Sequence, residues 1–217
     1  MFHPDLLDHR HAPFNPYYLK RLDNVLQYAL EEHARTLAVR IDLHLSPSWL
    51  QTDTLMCHPN LQSDLISRFA CSVKAKIIHY RKKLKNEGQR AHPCTLRYFW
   101  VKEIDTAQFP HYHLVMFFNK DLFRGLGQFD SNDNNLANII RQAWLSALDL
   151  KAHDEYRSLV HFPSNGVYTL DRNAPDFIKN LNNVVFRLSY LAKEDTKVYS
   201  PQERSMGSSQ KRCLPRV

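Results

Sequence analysis

Two histidines one residue apart, His111 and His113, lie in Phe109-Pro110-His111-Tyr112-His113-Leu114-Val115-Met116-Phe117-Phe118, a run with the composition of a buried strand. Side chains two apart on a strand share a face, so both imidazoles project together and Tyr112 turns away. Paired imidazoles are half of a metal site. Upstream, Tyr98 to Ile104 is a second β-type run, and Asp105 to Pro110 has the length of a hairpin connection. Antiparallel pairing brings Glu103 to the level of His111, where its carboxylate can be the third ligand. Asp105 takes that place only in a different register, on the same face. Three protein ligands leave coordination positions open for substrate oxygens. Far downstream, Ser189-Tyr190-Leu191-Ala192-Lys193 sets Tyr190 and Lys193 three apart, neighbours on one helical face. A phenol becomes a nucleophile as its proton leaves, and an adjacent cation favours that step. Lys197 and Tyr199 are rivals for the same two roles.

Taken singly, these features have ordinary readings: a core tyrosine, a solvated lysine at a helix end, a structural histidine pair. Together, with Leu37-Ala38-Val39-Arg40-Ile41-Asp42-Leu43-His44 before them, they resemble a known family. The chain is similar, from about Leu37 to Ser208, to the single-tyrosine, His-hydrophobic-His (HUH) endonucleases that initiate rolling-circle replication. Within these it resembles the inovirus-type replication proteins of filamentous phages and prophages, the YagK/YfjJ-like group. The resemblance implies Mn²⁺ or Mg²⁺ held by Glu103, His111 and His113, with manganese suiting a mixed nitrogen and oxygen donor set. It implies Tyr190 as nucleophile, assisted by Lys193, attacking a phosphodiester to leave a 5′-phosphotyrosine and a free 3′-hydroxyl. The partners implied are single-stranded or origin DNA, with host helicase and polymerase acting afterwards. The alternative is a DNA-binding prophage regulator that keeps the fold and has lost cutting. A hydrolase of small phosphoesters ranks lower, because it has no use for the basic helix described next.

Twenty-nine Lys and Arg against 22 Asp and Glu give a net charge of +7, which favours an anionic partner. No apolar run approaches the roughly 20 residues of a membrane span, and the N-terminus lacks a signal-peptide core, so a cytoplasmic protein with no membrane partner is expected. Five glycines and no G-x-x-x-x-G-K-[ST] argue against a nucleotide cofactor. The four cysteines include no C-x-x-C pair and read as reduced thiols.

The elements that must position these groups can be read in order. Residues 1–15 suggest a flexible N-terminus whose His3, His9 and His11 have no assigned role. One domain is expected over 16–205, and a basic tail over 206–217. Asn15-Pro16 begins a helix to about 34. Thr36 to Ser46 reads as a strand with Arg40, Asp42 and His44 on its polar face. Asp42 and His44 are candidates for bracing the ligands, for alternative ligation or for contacting DNA. A long helix over about 59–86 carries Lys74, Lys76, Arg81, Lys82, Lys83 and Lys85, which together with Arg40 are the expected phosphate contacts. Strands follow at about 94–104 and 111–118. Asp130 to Asp133 offers caps for a helix to about Leu148. Two short strands flank Pro163-Ser164-Asn165-Gly166, and a last helix begins near Ala174-Pro175-Asp176 and ends near Tyr190. Trp100 and Trp144 are assigned to the core. The expected class is α+β: a ferredoxin-like, split-βαβ sheet forming an HUH palm, with an extra N-terminal helix and the tyrosine helix at the C-terminal side.

Overall fold

The computed structural model describes residues 2–50, 57–104, 109–129, 134–195, 197 and 199–211. Its helices are α1 (Pro16–Glu32), α2 (Leu65–Asn86), α3 (Leu136–Ala147) and α4 (Phe177–Ser189), and its strands are β1 (Arg35–Leu43), β2 (Arg97–Glu103), β3 (His111–Asn119), β4 (Val160–His161), β5 (Val167–Asp171) and β6 (Met206–Ser208). The sheet runs β4-β1-β3-β2-β6, and β5 also pairs with β1. Each pairing is antiparallel. The chain is therefore α+β, with β1 and β3 side by side at the centre.

Alternation along the central strands sorts two cores. Leu37, Val39, Ile41 and Leu43 of β1 and Leu114, Met116 and Phe118 of β3 face α2 and α3, with Trp144 fully buried and edge-on to Phe69 at 5.7 Å. The Trp144 indole N–H donates to the His44 carbonyl at 3.1 Å, so the buried ring leaves no polar atom unpaired. Ala38, Phe99, Val101, Val115 and Phe117 point the other way, against α1 and α4. Fully burying each of the large side chains stabilises the fold by roughly 1.5–3 kcal/mol. Both faces are covered, so β3 reads as a nearly continuous apolar run.

Local signals account for most helix ends. The Asn15 side chain accepts from Tyr17 N at 3.0 Å and Tyr18 N at 3.1 Å, and Pro16 occupies the first turn of α1. Asn135 caps α3 by accepting from Asn138 N at 2.9 Å; the expected caps at 130–133 lie outside the described residues. Helix α2 starts at Leu65, six residues later than Pro59 would suggest. Asn60 is engaged elsewhere: its N–H donates to the Leu148 carbonyl and its own carbonyl accepts from Arg68, which holds the chain non-helical there.

Both ends depart from expectation. Residues 2–15 are built into the fold, with Phe2 and Leu7 buried beside α4 and Asp8 N donating to Ser189 Oγ at 3.0 Å. Apolar side chains at positions 2 and 7 outweigh the polar composition of this segment. Instead of beginning a basic tail, Met206–Ser208 forms the edge strand β6 on β2; residues 212–217 lie outside the description. At Gly207 the chain crosses Trp100 so closely that a Cβ would collide with the indole. Gly207→Ala is accordingly expected to cost about 1–3 kcal/mol, read as a lowered thermal midpoint. An unchanged midpoint would show that β6 is not seated on Trp100. Of the cysteines, Cys57, Cys71 and Cys94 are free.

Candidate functional site

Glu103 ends β2 and His111 begins β3, and the two are directly opposite in the ladder. His113, two residues along, lies between Val101 of β2 and Asp42 of β1. Period-two alternation thus gathers Glu103, His111, His113, Asp42 and Arg40 on the α1/α4 face. The imidazole centroids of His111 and His113 are 4.8 Å apart. Candidate ligand atoms of Glu103, His111 and His113 all lie within 4.8 Å of one another.

The hydrogen bonding within this group bears on whether it suits a cation. His113 Nδ1 lies 2.5 Å from Asp42 Oδ1, while its Nε2 is buried with no hydrogen-bond partner, 3.4 Å from Glu103 Oε2. A carboxylate that takes the Nδ1 proton fixes the tautomer and turns the Nε2 lone pair toward a metal. Asp42 is itself flanked by His161 Nδ1 at 3.4 Å and Arg40 at 3.8 Å. His111 Nε2 stands 3.9 Å from Glu103 Oε2, and its ring stacks on His44. Two imidazoles and a carboxylate, with the buried His113 Nε2 facing Glu103 Oε2, fit a divalent ion.

Electrostatics set the protonation. Burial pushes the Glu103 carboxyl up, but His113 and Lys197 outweigh it and hold the group well below the usual carboxylate range. Asp42 is likewise lowered, burial being overcome by His113. Burial lowers His111 and His44, which favours neutral imidazoles. Burial also opposes charge on His113, yet Asp42 and Glu103 raise its pKa. A cation must displace that proton, so metal affinity should rise with pH.

Tyr190 meets this cluster from above. Helix α4 tightens into a 3₁₀ turn over Tyr190–Ala192, in which residues three apart eclipse, and Lys193 Nζ donates to the Tyr190 hydroxyl at 3.0 Å. The phenol ring is edge-on to His113 at 5.6 Å, and the Arg40 guanidinium lies 4.6 Å from its centroid. Lys193 Nζ is also 3.2 Å from Glu103 Oε2, and Lys197 pairs with Glu103 Oε1. Tyr199, the rival phenol, instead donates to Glu194 at 2.6 Å.

The structure therefore gathers Glu103, His111, His113, Asp42, His44, Arg40, Tyr190 and Lys193, while Asp105 lies outside the described residues. It does not bring the α2 cations to them. Lys74, Lys76, Arg81, Lys82, Lys83 and Lys85 belong to the helix that packs on the opposite face of the sheet. Lys74 lies over Tyr98 and Lys76 donates to Gln142, as on a solvated helix surface. Helical periodicity marks which side of α2 is polar, but not which face of the sheet the helix covers.

Two participants carried no sequence signal. His11 packs edge-on against Tyr190 at 4.9 Å, brought there because Asn15 N donates to the Ala192 carbonyl and Glu194 N to the Pro13 carbonyl. His161 reaches Asp42 through the two-residue strand β4, where it is the cross-strand partner of Asp42. Asp42→Ala is expected to lower Mn²⁺ affinity about 10–100-fold in a calorimetric titration, by freeing the His113 ring. Unchanged affinity would place the ion, if one binds, away from His113.

A model of the YagK/YfjJ C-terminal domain matches residues 4–209. The uncharacterized proteins YagK and YfjJ of Escherichia coli strain K12 are 38% and 34% identical to the chain over 193 and 194 residues. These alignments cover 89% and 88% of this chain and 92% and 93% of the two relatives. No solved structure matches. Among the described residues no helix is long and apolar enough to cross a membrane.

Proposed function

Since the chain belongs to the YagK/YfjJ C-terminal domain family, we propose that the activity on this scaffold is metal-dependent nicking and strand transfer on single-stranded DNA, of the HUH type that initiates rolling-circle replication of a phage or prophage element. The strand arrangement is compatible with a ferredoxin-like palm, in which the ligands come from β3 and its neighbour β2 and the carboxylate that braces His113 comes from β1. The observation that carries the reading is the convergence of a phenol, its lysine and a three-ligand cluster from distant parts of the chain.

Glu103, His111 and His113 would hold the ion, Mn²⁺ or Mg²⁺. When bound, it supplies Lewis-acid polarisation of the scissile phosphate oxygens. The remaining work falls to side chains. Tyr190 Oη forms a bond to phosphorus as the bond from phosphorus to the 3′-oxygen breaks; the phenol gives up its proton and the departing 3′-oxygen takes one. Lys193, already donating to Oη, favours the phenolate as it forms. Arg40, over the ring, adds positive charge where phosphate must approach. The phosphotyrosine bond conserves the energy needed to rejoin the strand, so no nucleotide cofactor is required.

Incubating the protein with Mn²⁺ and a pool of single-stranded oligonucleotides is expected to yield a covalent protein–DNA species with the nucleotide on Tyr190, mapped by mass spectrometry. Tight DNA binding with no adduct under Mn²⁺ or Mg²⁺ would instead support the non-cutting regulator.

A further inference from the structure

On the sheet face that carries the ligand cluster, β5 with the turn before it and helix α4 enclose an open cleft of about 650 Å³. Asn165 and Tyr168 form one wall, and Asn180, Asn183, Phe186 and Arg187 of α4 form the other. The cleft adjoins the tyrosine through two elements. Helix α4 is the one that ends at Tyr190, and Arg40, whose guanidinium covers the Tyr190 ring, donates its backbone N–H to the Gly166 carbonyl at 2.6 Å, between Asn165 and the start of β5. Burial raises the Tyr168 pKa, and Arg187 and Arg40 offset part of that rise, so both guanidiniums act on this wall. Arg10 stands 5.8 Å from the Phe186 centroid, its charge already paired with Asp8. No carboxylate is among the described residues lining the cleft.

Resting on the nuclease reading, we propose that this cleft is the subsite for the single-stranded DNA that flanks the scissile bond, and that it takes at least one unpaired base. The lining matches what such a ligand presents. Tyr168 and Phe186 offer ring faces on which bases stack, and stacking tolerates any base. Asn165, Asn180 and Asn183 each carry an acceptor and two donors, the groups that read an exposed base edge. Arg187 and Arg40 supply the phosphate contacts that the sequence suggested for α2. In a duplex the bases are stacked and paired, so aromatic and amide groups in one cleft favour an unpaired strand. This assigns the choice of target sequence to α4, β5 and the turn before it, on the same face as the tyrosine.

The test uses the wild-type protein, ultraviolet irradiation and single-stranded oligonucleotides carrying 5-iodouracil. Crosslinks are expected at Tyr168 or Phe186, located by mass spectrometry of tryptic peptides. In parallel, the triple variant Asn180→Ala, Asn183→Ala, Arg187→Ala is expected to bind the oligonucleotide pool about tenfold more weakly. From a randomised library it should enrich different sequences, with its thermal midpoint and Mn²⁺ affinity unchanged. Crosslinks confined to α2 between Lys74 and Lys85, together with a variant that selects the wild-type sequences at wild-type affinity, would overturn the proposal. Crosslinks in the cleft without any Tyr190 adduct would keep the cleft and discard the nickase. An adduct without cleft crosslinks or altered selection would do the reverse.

Discussion

Tyr190→Phe is expected to remove the covalent protein–DNA species altogether, a loss on the order of 10³-fold or more, while metal affinity stays as in the wild type. The substitution deletes one oxygen and leaves the ring. Its edge contacts with His113 and His11 and its packing under Arg40 depend on the ring and persist. Lys193 loses the hydroxyl it donates to but keeps Glu103 at 3.2 Å, so no buried cation is stranded. Fold and ligand geometry should therefore survive, and the variant isolates nucleophilic chemistry from binding. The readout is a denaturing gel of oligonucleotide-labelled protein, with calorimetry for Mn²⁺. Labelling that persists in the phenylalanine variant would mean that another group attacks, and Tyr190 would revert to an ordinary packed aromatic.

Glu103→Gln should be the most destabilising single change at the site. The Glu103 side chain is 2% exposed and answers two ammonium groups, Lys193 and Lys197, the second with no exposure at all. Breaking a buried pair by neutralising one partner typically costs about 3–5 kcal/mol, because the other charge is left without compensation. For a chain of this size that corresponds to a fall of roughly 10 °C in thermal midpoint. The pH dependence has a definite sign. Glu103 titrates below its unfolded value in the native state, so it contributes stability above the unfolded carboxylate pKa of about 4.3, and that contribution fades as pH falls toward the native value. The wild-type advantage over Glu103→Gln should thus be full at neutral pH and shrink below about pH 4. Mn²⁺ should raise the wild-type midpoint and leave that of the variant where it is. Equal midpoints for the two proteins across this range would mean that the lysines do not depend on Glu103.

How legible all this was depends on the range over which each feature is determined. The β2–β3 hairpin is local: a period of two and a short connection suffice to set Glu103 opposite His111. The neighbourhood of Tyr190 and Lys193 is also local, although the turn that joins them is 3₁₀ and not the last turn of an α-helix. The placement of Asp42 beside His113 needed only β1 next to β3, which the order of elements suggested. Three things were not local. The N-terminal segment is anchored by the burial of Phe2 and Leu7 and by the bond from Asp8 N to Ser189, 181 positions along the chain. Strand β6 depends on a glycine that fits against Trp100, a match no composition reveals. The charged stripe of α2 is visible in a sequence as charge density, whereas the layer the helix joins, on the face away from the tyrosine, is decided by packing across the whole sheet.

The double-sided burial of the central strand has a consequence for fidelity. Its alternate residues feed two separate apolar layers, Leu114, Met116 and Phe118 on one and Val115 and Phe117 on the other. Slippage by a single position would exchange the two sets and drive both imidazoles into hydrocarbon, an error opposed by every contact along the strand at once. The candidate cation site thus inherits its alignment from greasy side chains that lie outside it, so conservative swaps among those residues should disturb the spacing of Glu103, His111 and His113 before they unfold the protein.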